Sequence, residues 1–207
     1  MDRKSKQKTS KPRVALVGDG QTERIYFADI KETDRPSDLD LFPDLPTKTG
    51  SYKGVLDKAN QLFENYDRVY ALIDMDKVIT DGTEAQYLID KNAAVAKGVI
   101  VLENNPCFEF WLLLHFIKTS RSFNACDDVV AELKKTGRIP GYDKSQKFQI
   151  AARLYDSHKD RIAAHAIPAA LLLEKNRSEK SKYHPRAEVY RFFEWYQDPA
   201  RIALLKQ

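Results

Sequence analysis

The stretch Val69-Tyr70-Ala71-Leu72-Ile73-Asp74-Met75-Asp76 joins an apolar run to a closely spaced pair of aspartates. A short apolar run of this kind reads as a buried central strand. Because strand side chains alternate between faces, Asp74 and Asp76 are expected on the same side at its carboxyl end. Two neighbouring carboxylates repel each other, and a hard divalent cation removes that cost. Mg²⁺ typically binds through one or two carboxylates plus a substrate phosphate. A solvated turn that contains two aspartates is the alternative reading of the pair taken by itself.

Upstream, Val14-Ala15-Leu16-Val17 is a second short buried strand, ended by Gly18-Asp19-Gly20. Thr22 to Lys31 resumes at helical period through Ile25, Tyr26 and Ile30, with Thr22 as the expected cap. Asp19 therefore sits at a strand's carboxyl end and Glu23 in a first helical turn, where open α/β sheets place their ligand sites. Glu23 serves the helix dipole equally well. Asp34 to Lys48 is rich in turn formers, with a short strand at Leu39-Asp40-Leu41-Phe42, and Ser51 to Tyr66 is helical and leads by a crossover into the central strand. Downstream, Val78 to Gly82 reads as a loop, Thr83 to Ala96 as a helix and Gly98 to Leu102 as a further buried strand. The alternation predicts an α/β fold with a mostly parallel sheet covered by helices.

That last strand runs into Asn104-Asn105-Pro106-Cys107-Phe108-Glu109-Phe110-Trp111-Leu112-Leu113-Leu114-His115-Phe116. Pro106 suits a first helical position with Asn105 as cap, which puts Glu109 in the opening turn of a helix apolar nearly all round. Glu109 and His115 on such a helix need polar partners, whether structural or functional. Cys107 reads as a small buried hydrophobe.

At 207 residues and 43% hydrophobic, the chain can bury one sizeable core with an appended helical part. Two cysteines and the lack of a leader ahead of the first strand favour a reducing, cytoplasmic setting, and the apolar stretch from Phe108 to Ile117 is far too short to span a membrane. The net charge of +4 is unevenly spread: +5 over residues 1–13, −8 over 14–117 and +7 over 118–207. An acidic part followed by a basic part suits a metal site flanked by a surface for a polyanion, although ordinary solvated helix faces produce the same counts. Three regions follow: a disordered basic arm (1–12), an α/β domain (13–117) and a basic helical C-terminal subdomain (118–207). The last carries Lys144, Lys147, Arg153, Lys175, Arg177, Lys180 and Lys182 as candidate phosphate contacts of a nucleic acid. No Gly-x-x-x-x-Gly-Lys loop is present, so any use of ATP requires a partner.

Gly18-Asp19-Gly20-Gln21-Thr22-Glu23 with Tyr26-Phe27, then Asp74-Met75-Asp76, then Asn105-Pro106-Cys107-Phe108-Glu109 with Trp111 to Phe116, resembles the RloB-like proteins. Gly141-Tyr142-Asp143-Lys144 and the terminal helix around Tyr190 to Tyr196 are similar to that family's second half. The resemblance implies a Toprim-like domain from a bacterial phage-defence locus, of the type found beside an ATPase as the second component of the AbiL abortive-infection system. It also implies Mg²⁺ or Mn²⁺ held by Asp74, Asp76 and Asp19, with Asp19, Glu23 and Glu109 as catalytic acids. Asp19 stands where the Toprim pattern has a glutamate, one methylene longer.

The reading favoured by these residues is a metal-dependent nuclease, cleaving DNA or RNA in anti-phage defence with a partner ATPase. Two alternatives stand beside it. One is a non-catalytic, metal- and nucleic-acid-binding regulatory subunit of that ATPase. The other is a haloacid-dehalogenase-type phosphatase, since Asp74 to Asp81 also resembles that nucleophile motif. Against the phosphatase, a strand and a helix precede the motif, and Asp127-Asp128 lacks the apolar strand expected before it.

Overall fold

A computed structural model describes residues 11–43, 51–177 and 181–205 of the protein. Lys180 and residues 1–10 of the expected basic arm lie outside these. Along the chain run β1 (Arg13–Val17), α1 (Gln21–Asp34), β2 (Asp40–Phe42), α2 (Tyr52–Leu62), β3 (Arg68–Asp74), α3 (Met75–Thr80), α4 (Glu84–Ala96) and β4 (Ile100–Asn105). There follow α5 (Glu109–Leu114), α6 (Cys126–Leu133), α7 (Gln146–Ala152), α8 (Leu154–His158), a π-helical turn (Ile162–Ala166), α9 (Ile167–Lys175), β5 (Arg186–Ala187) and α10 (Tyr190–Tyr196).

The strands form one sheet in the order β2-β1-β3-β4-β5. Neighbours are parallel except at the edge, where β5 runs antiparallel to β4. From β1 the chain crosses outward to β2, then returns past β1 to β3. That reversal opens a crevice between the carboxyl ends of β1 and β3, the position at which open α/β sheets bind ligands.

Both faces are buried, as parallel sheets require. Val14, Leu16, Tyr70, Leu72 and Leu102 pack with Tyr26, Phe27, Trp111 and Phe193 from α1, α5 and α10. The alternate residues Ala15, Val17, Val69, Ala71, Ile73 and Val101 pack with Val55 and Leu56 of α2 and Tyr87 and Ala94 of α4. Trp111 stacks on Phe193 at a centroid distance of 5.4 Å and donates from Nε1 to the Tyr26 hydroxyl at 3.2 Å. Among the described residues no helix is long and apolar enough to cross a membrane.

Three local expectations are corrected. Residues 78–80 are helical rather than loop: β3 stops at Asp74, and α3 carries Asp76 in its first turn, so the aspartates do not alternate along one strand. Thr22 does not cap α1; the extended residue Gly20 occupies the cap position and Thr22 lies inside the helix. Asn105 belongs to β4, pairing with Arg186, and its side-chain amide donates to the carbonyls of Lys182 and His184 at 2.9 and 2.8 Å. It is therefore not available to cap α5, which begins only at Glu109.

His115 is resolved as structural. It is buried, and its Nδ1 lies 3.0 Å from the Trp111 carbonyl, which fixes the proton on that nitrogen. Burial pushes its pKa down to about 4. On the far side of the sheet from β1, buried Glu103 gathers Arg186, Lys91 at 2.6 Å and the Tyr87 hydroxyl at 2.8 Å, binding α4 and β5 to β4.

Candidate metal and phosphate site

The crevice is furnished from three chain reversals. After β1, Gly18-Asp19-Gly20 leads into α1, whose first turn presents Thr22 and Glu23. Gly20 has a steric reason to be glycine: a Cβ there would stand 2.1 Å from Glu23 Oε2. The carboxylate is thus laid against bare backbone and turned toward β3. At the end of β3, Asp74 opens α3, and its Oδ1 is buried with no hydrogen-bond partner among the described residues. The loop after β4 reaches the same place: Asp76 N–H donates to the Pro106 carbonyl at 3.0 Å, and Glu109 starts α5.

Carboxylate oxygens of Asp19, Glu23 and Asp74 all lie within 4.8 Å of one another. Asp76 and Glu109 line the same cavity of about 280 Å³, together with Lys77 and Lys144. Asp76 is outside the tight trio. Its Oδ1 accepts from the Lys77 backbone N–H at 2.6 Å, the geometry of a first-turn acid.

Charge in the cavity is poorly balanced. Lys77 Nζ is 3.5 Å from Asp19, and Lys144 Nζ is 3.2 Å from Glu109. Glu109 further accepts from the Tyr142 hydroxyl at 3.0 Å and the Thr22 hydroxyl at 3.4 Å, so it is well satisfied by the protein. Glu23 and Asp74 are not. Burial, then the negative charges of Glu109 and Asp19, pushes the Glu23 carboxyl up to about 8. Burial, followed by Glu23, Glu109, Asp19 and Asp76, holds Asp74 well above the carboxylate range. Burial also raises Asp76. Without a cation Glu23 keeps its proton at neutral pH, and Asp74 and Asp76 hold theirs more tightly than ordinary carboxyls, whereas a divalent ion with oxygen ligands would let them ionise together. The oxygen-only trio and the orphaned Asp74 Oδ1 fit a hard cation such as Mg²⁺ or Mn²⁺.

Cys107 and Cys126 form a disulfide across a separation of 19 residues, so Cys107 is not the free buried thiol expected. The turn after α5 brings the start of α6 against the β4–α5 loop, a proximity that spacing alone does not reveal. Cys126 Sγ lies 3.0 Å from Glu109 Oε2 and 3.2 Å from Lys144 Nζ. A disulfide sulfur carries no proton, so the first of these is a close contact and not a donated hydrogen bond.

Among the expected phosphate contacts that lie in the described residues, only Lys144 reaches this cavity. Lys147, in the first turn of α7, and Lys175, at the end of α9, are exposed. Arg153, Arg177 and Lys182 are paired with groups of the chain itself. Arg153 bonds Asp29 at 3.1 Å and Thr33 at 2.7 Å, Arg177 is 3.6 Å from Glu188 and 3.4 Å from Glu174, and Lys182 is 2.9 Å from Glu84. Lys77 and Tyr142 went unassigned in the sequence, and Thr22 was read only as a helix cap. Lys77 follows Asp76 directly, and Tyr142 sits in the Gly141-Tyr142-Asp143-Lys144 block, so position was the available signal.

The family model for RloB-like protein matches residues 14–194. No curated protein and no solved structure matches the chain. The match runs from β1 through α10 and takes in every acid of the cavity and Lys144, and the chain belongs to the RloB-like family.

Proposed function

We propose that the protein is a metal-dependent nuclease that hydrolyses phosphodiester bonds of DNA or RNA in bacterial anti-phage defence, working with a partner ATPase. The observation that carries this reading is the trio Asp19, Glu23 and Asp74, within 4.8 Å of one another at the point where the strand order reverses. Acids at the ends of β1 and β3 are also what a Toprim-type site calls for. Membership of the RloB-like family supports the link to phage defence.

In this reading Asp74, Asp19 and Glu23 hold Mg²⁺ or Mn²⁺, and Asp76 orients the ion's solvent shell. A bound divalent ion supplies an acidified water and neutralises charge on the phosphoryl group. The chain's own groups do the rest. Lys77 and Lys144, each paired with a carboxylate at rest, turn to the substrate phosphate when it arrives. Where it does not hold the ion directly, Glu23, ionised beside a bound cation, would accept the proton of the attacking water. Glu109 holds Lys144 in place through their 3.2 Å pair. The basic groups exposed on α7 and α9 add salt-sensitive affinity.

A regulatory reading, in which the chain binds metal and nucleic acid without cutting and controls the ATPase, is favoured by one feature. Asp19 is short and already paired with Lys77. The test is to incubate the protein, with and without the adjacent gene product, with labelled DNA and total RNA in Mg²⁺, Mn²⁺ and EDTA. Cleavage in Mg²⁺ or Mn²⁺ and none in EDTA is expected. No cleavage under any condition, with phage protection still lost on Asp74→Asn, replaces the nuclease by the regulator.

A further inference from the structure

A second cavity, of about 260 Å³, adjoins the acidic one and shares Asp19, Asp74 and Lys77 with it. Its walls differ in kind. Val55, Leu72 and Val78 are buried apolar side chains, and half-buried Tyr52, whose ring packs edge-on against Tyr87 and whose hydroxyl donates to Asp90 at 3.3 Å, lines the cavity beside them. At one side the amino end of α2 contributes Ser51 and Lys53. Among the described residues Ser51 occupies the cap position without a side-chain capping bond, and the first N–H groups of an α-helix have no partner within it.

Size and position narrow the occupant. Pockets that enclose a whole small ligand run from about 300 to 1,000 Å³, so this cavity admits only part of a larger molecule. That molecule must also pass the Asp19–Asp74–Lys77 boundary, where the proposed cation and phosphate sit. A slot with an apolar floor and an aromatic residue at one wall, rimmed by Lys53, Lys77, Ser51 and Thr83 beside the carboxylates of Asp19, Asp74 and Asp81, has the chemistry for a nucleobase, which needs apolar contact at its faces and hydrogen-bond partners at its edge.

We infer that the substrate is single-stranded or locally unpaired nucleic acid, with the base next to the scissile phosphate unstacked into the cavity between α2 and α3. This inference deepens the nuclease reading and rests on it for the position of the phosphate. A base still stacked in a duplex cannot reach into the slot, so paired strands are poor ligands. Lys53 and the first turn of α2 hold the phosphate on the far side of that base.

The experiment measures binding by fluorescence anisotropy, in Ca²⁺ and separately in EDTA, of one labelled oligonucleotide in three forms: single-stranded, duplex, and single-stranded with abasic positions. Each is tested on the parent protein, on Tyr52→Ala and on Thr83→Phe, the latter placing a ring in the slot from a half-exposed wall position. The single strand should bind at least 10-fold tighter than the duplex, and abasic positions should cost the parent about 5- to 100-fold, the range for one stacked base. In Thr83→Phe the abasic penalty should vanish, while stabilisation by Mg²⁺ stays at the parental value because no metal-holding acid is touched. Equal binding of intact and abasic strands, or a parental penalty in a folded Thr83→Phe, overturns the inference, as does absence of nucleic-acid binding. Loss of any metal effect on melting strikes instead at the metal site, and the abasic comparison in EDTA still decides the slot.

Discussion

Replacing Glu23 by glutamine removes a charge the metal-free fold is badly placed to hold while keeping the side chain's size. Glu23 is buried, and its pKa rises from an ordinary 4.5 to about 8, first through burial and then through Glu109 and Asp19. A carboxyl raised in the folded state binds more protons there than when unfolded, so its contribution to stability is fully present below pH 4.5 and is lost as pH climbs through 8. At about 1.4 kcal/mol per unit, the ceiling is about 5 kcal/mol, shared with Asp74, whose shift has the same sign. In EDTA the parent should therefore lose about 2–5 kcal/mol between pH 5 and pH 9, with a flatter profile and higher stability at pH 8 for Glu23→Gln. Mg²⁺ should reverse the ranking: at 100 times its Kd a ligand adds about 2.7 kcal/mol, more at pH 8 than at pH 6 because binding must release the protons. Urea melts across pH, with and without Mg²⁺, measure all of this. A parent whose metal-free stability is flat from pH 5 to 9, or a Glu23→Gln variant less stable than the parent at pH 8 in EDTA, refutes the argument.

Gly20→Ala would put a Cβ 2.1 Å from Glu23 Oε2, so the carboxyl must swing away; the fold should survive and the melting shift with Mn²⁺ should shrink by half or more. Cys126→Ser removes a cross-link spanning 19 residues, worth about 3 kcal/mol by loop entropy, and the loss should match that caused by reductant in the parent and not add to it. Glu103→Gln removes the buried charge that part-buried Arg186 and Lys91 pair with, costing about 3–5 kcal/mol. It should leave the Mg²⁺-induced increment unchanged, because that cluster lies on the other side of β4 from the acid trio.

The positions of Asp19 and Asp74 were legible because each follows an apolar run too short for a helix, and strand ends are where an α/β sheet exposes its ligands. Glu109 was legible through its place in an otherwise apolar segment, where a carboxylate needs partners. The helix α3 was not: with only Val78 and Ile79 as buried residues after Met75, a single turn has no period to detect. Asn105 misled because side-chain amides cap helices and also satisfy loop carbonyls, and its real partners lie 77 and 79 residues away. The same distance problem hid the fate of the basic residues. Arg153 and Arg177 look free in sequence, yet their carboxylates, Asp29 and Glu103 among them, come from elements far up the chain. The disulfide was missed for that reason, and because two cysteines without further context fit a reduced chain equally well.

The central claim is that the Asp19–Glu23–Asp74 trio holds a metal that cuts nucleic acid, and Asp74→Asn tests it most directly. The exchange keeps the volume of a side chain whose Oδ1 has no hydrogen-bond partner among the described residues, so it breaks no bond at that oxygen. The measurement is the cleavage rate of a labelled single strand by parent and variant in Mg²⁺, with EDTA as the blank. Parental cleavage that EDTA abolishes, with a fall of at least about 100-fold in a folded Asp74→Asn, is the predicted result. Cleavage by Asp74→Asn at the parental rate, or parental cleavage that persists in EDTA, contradicts it.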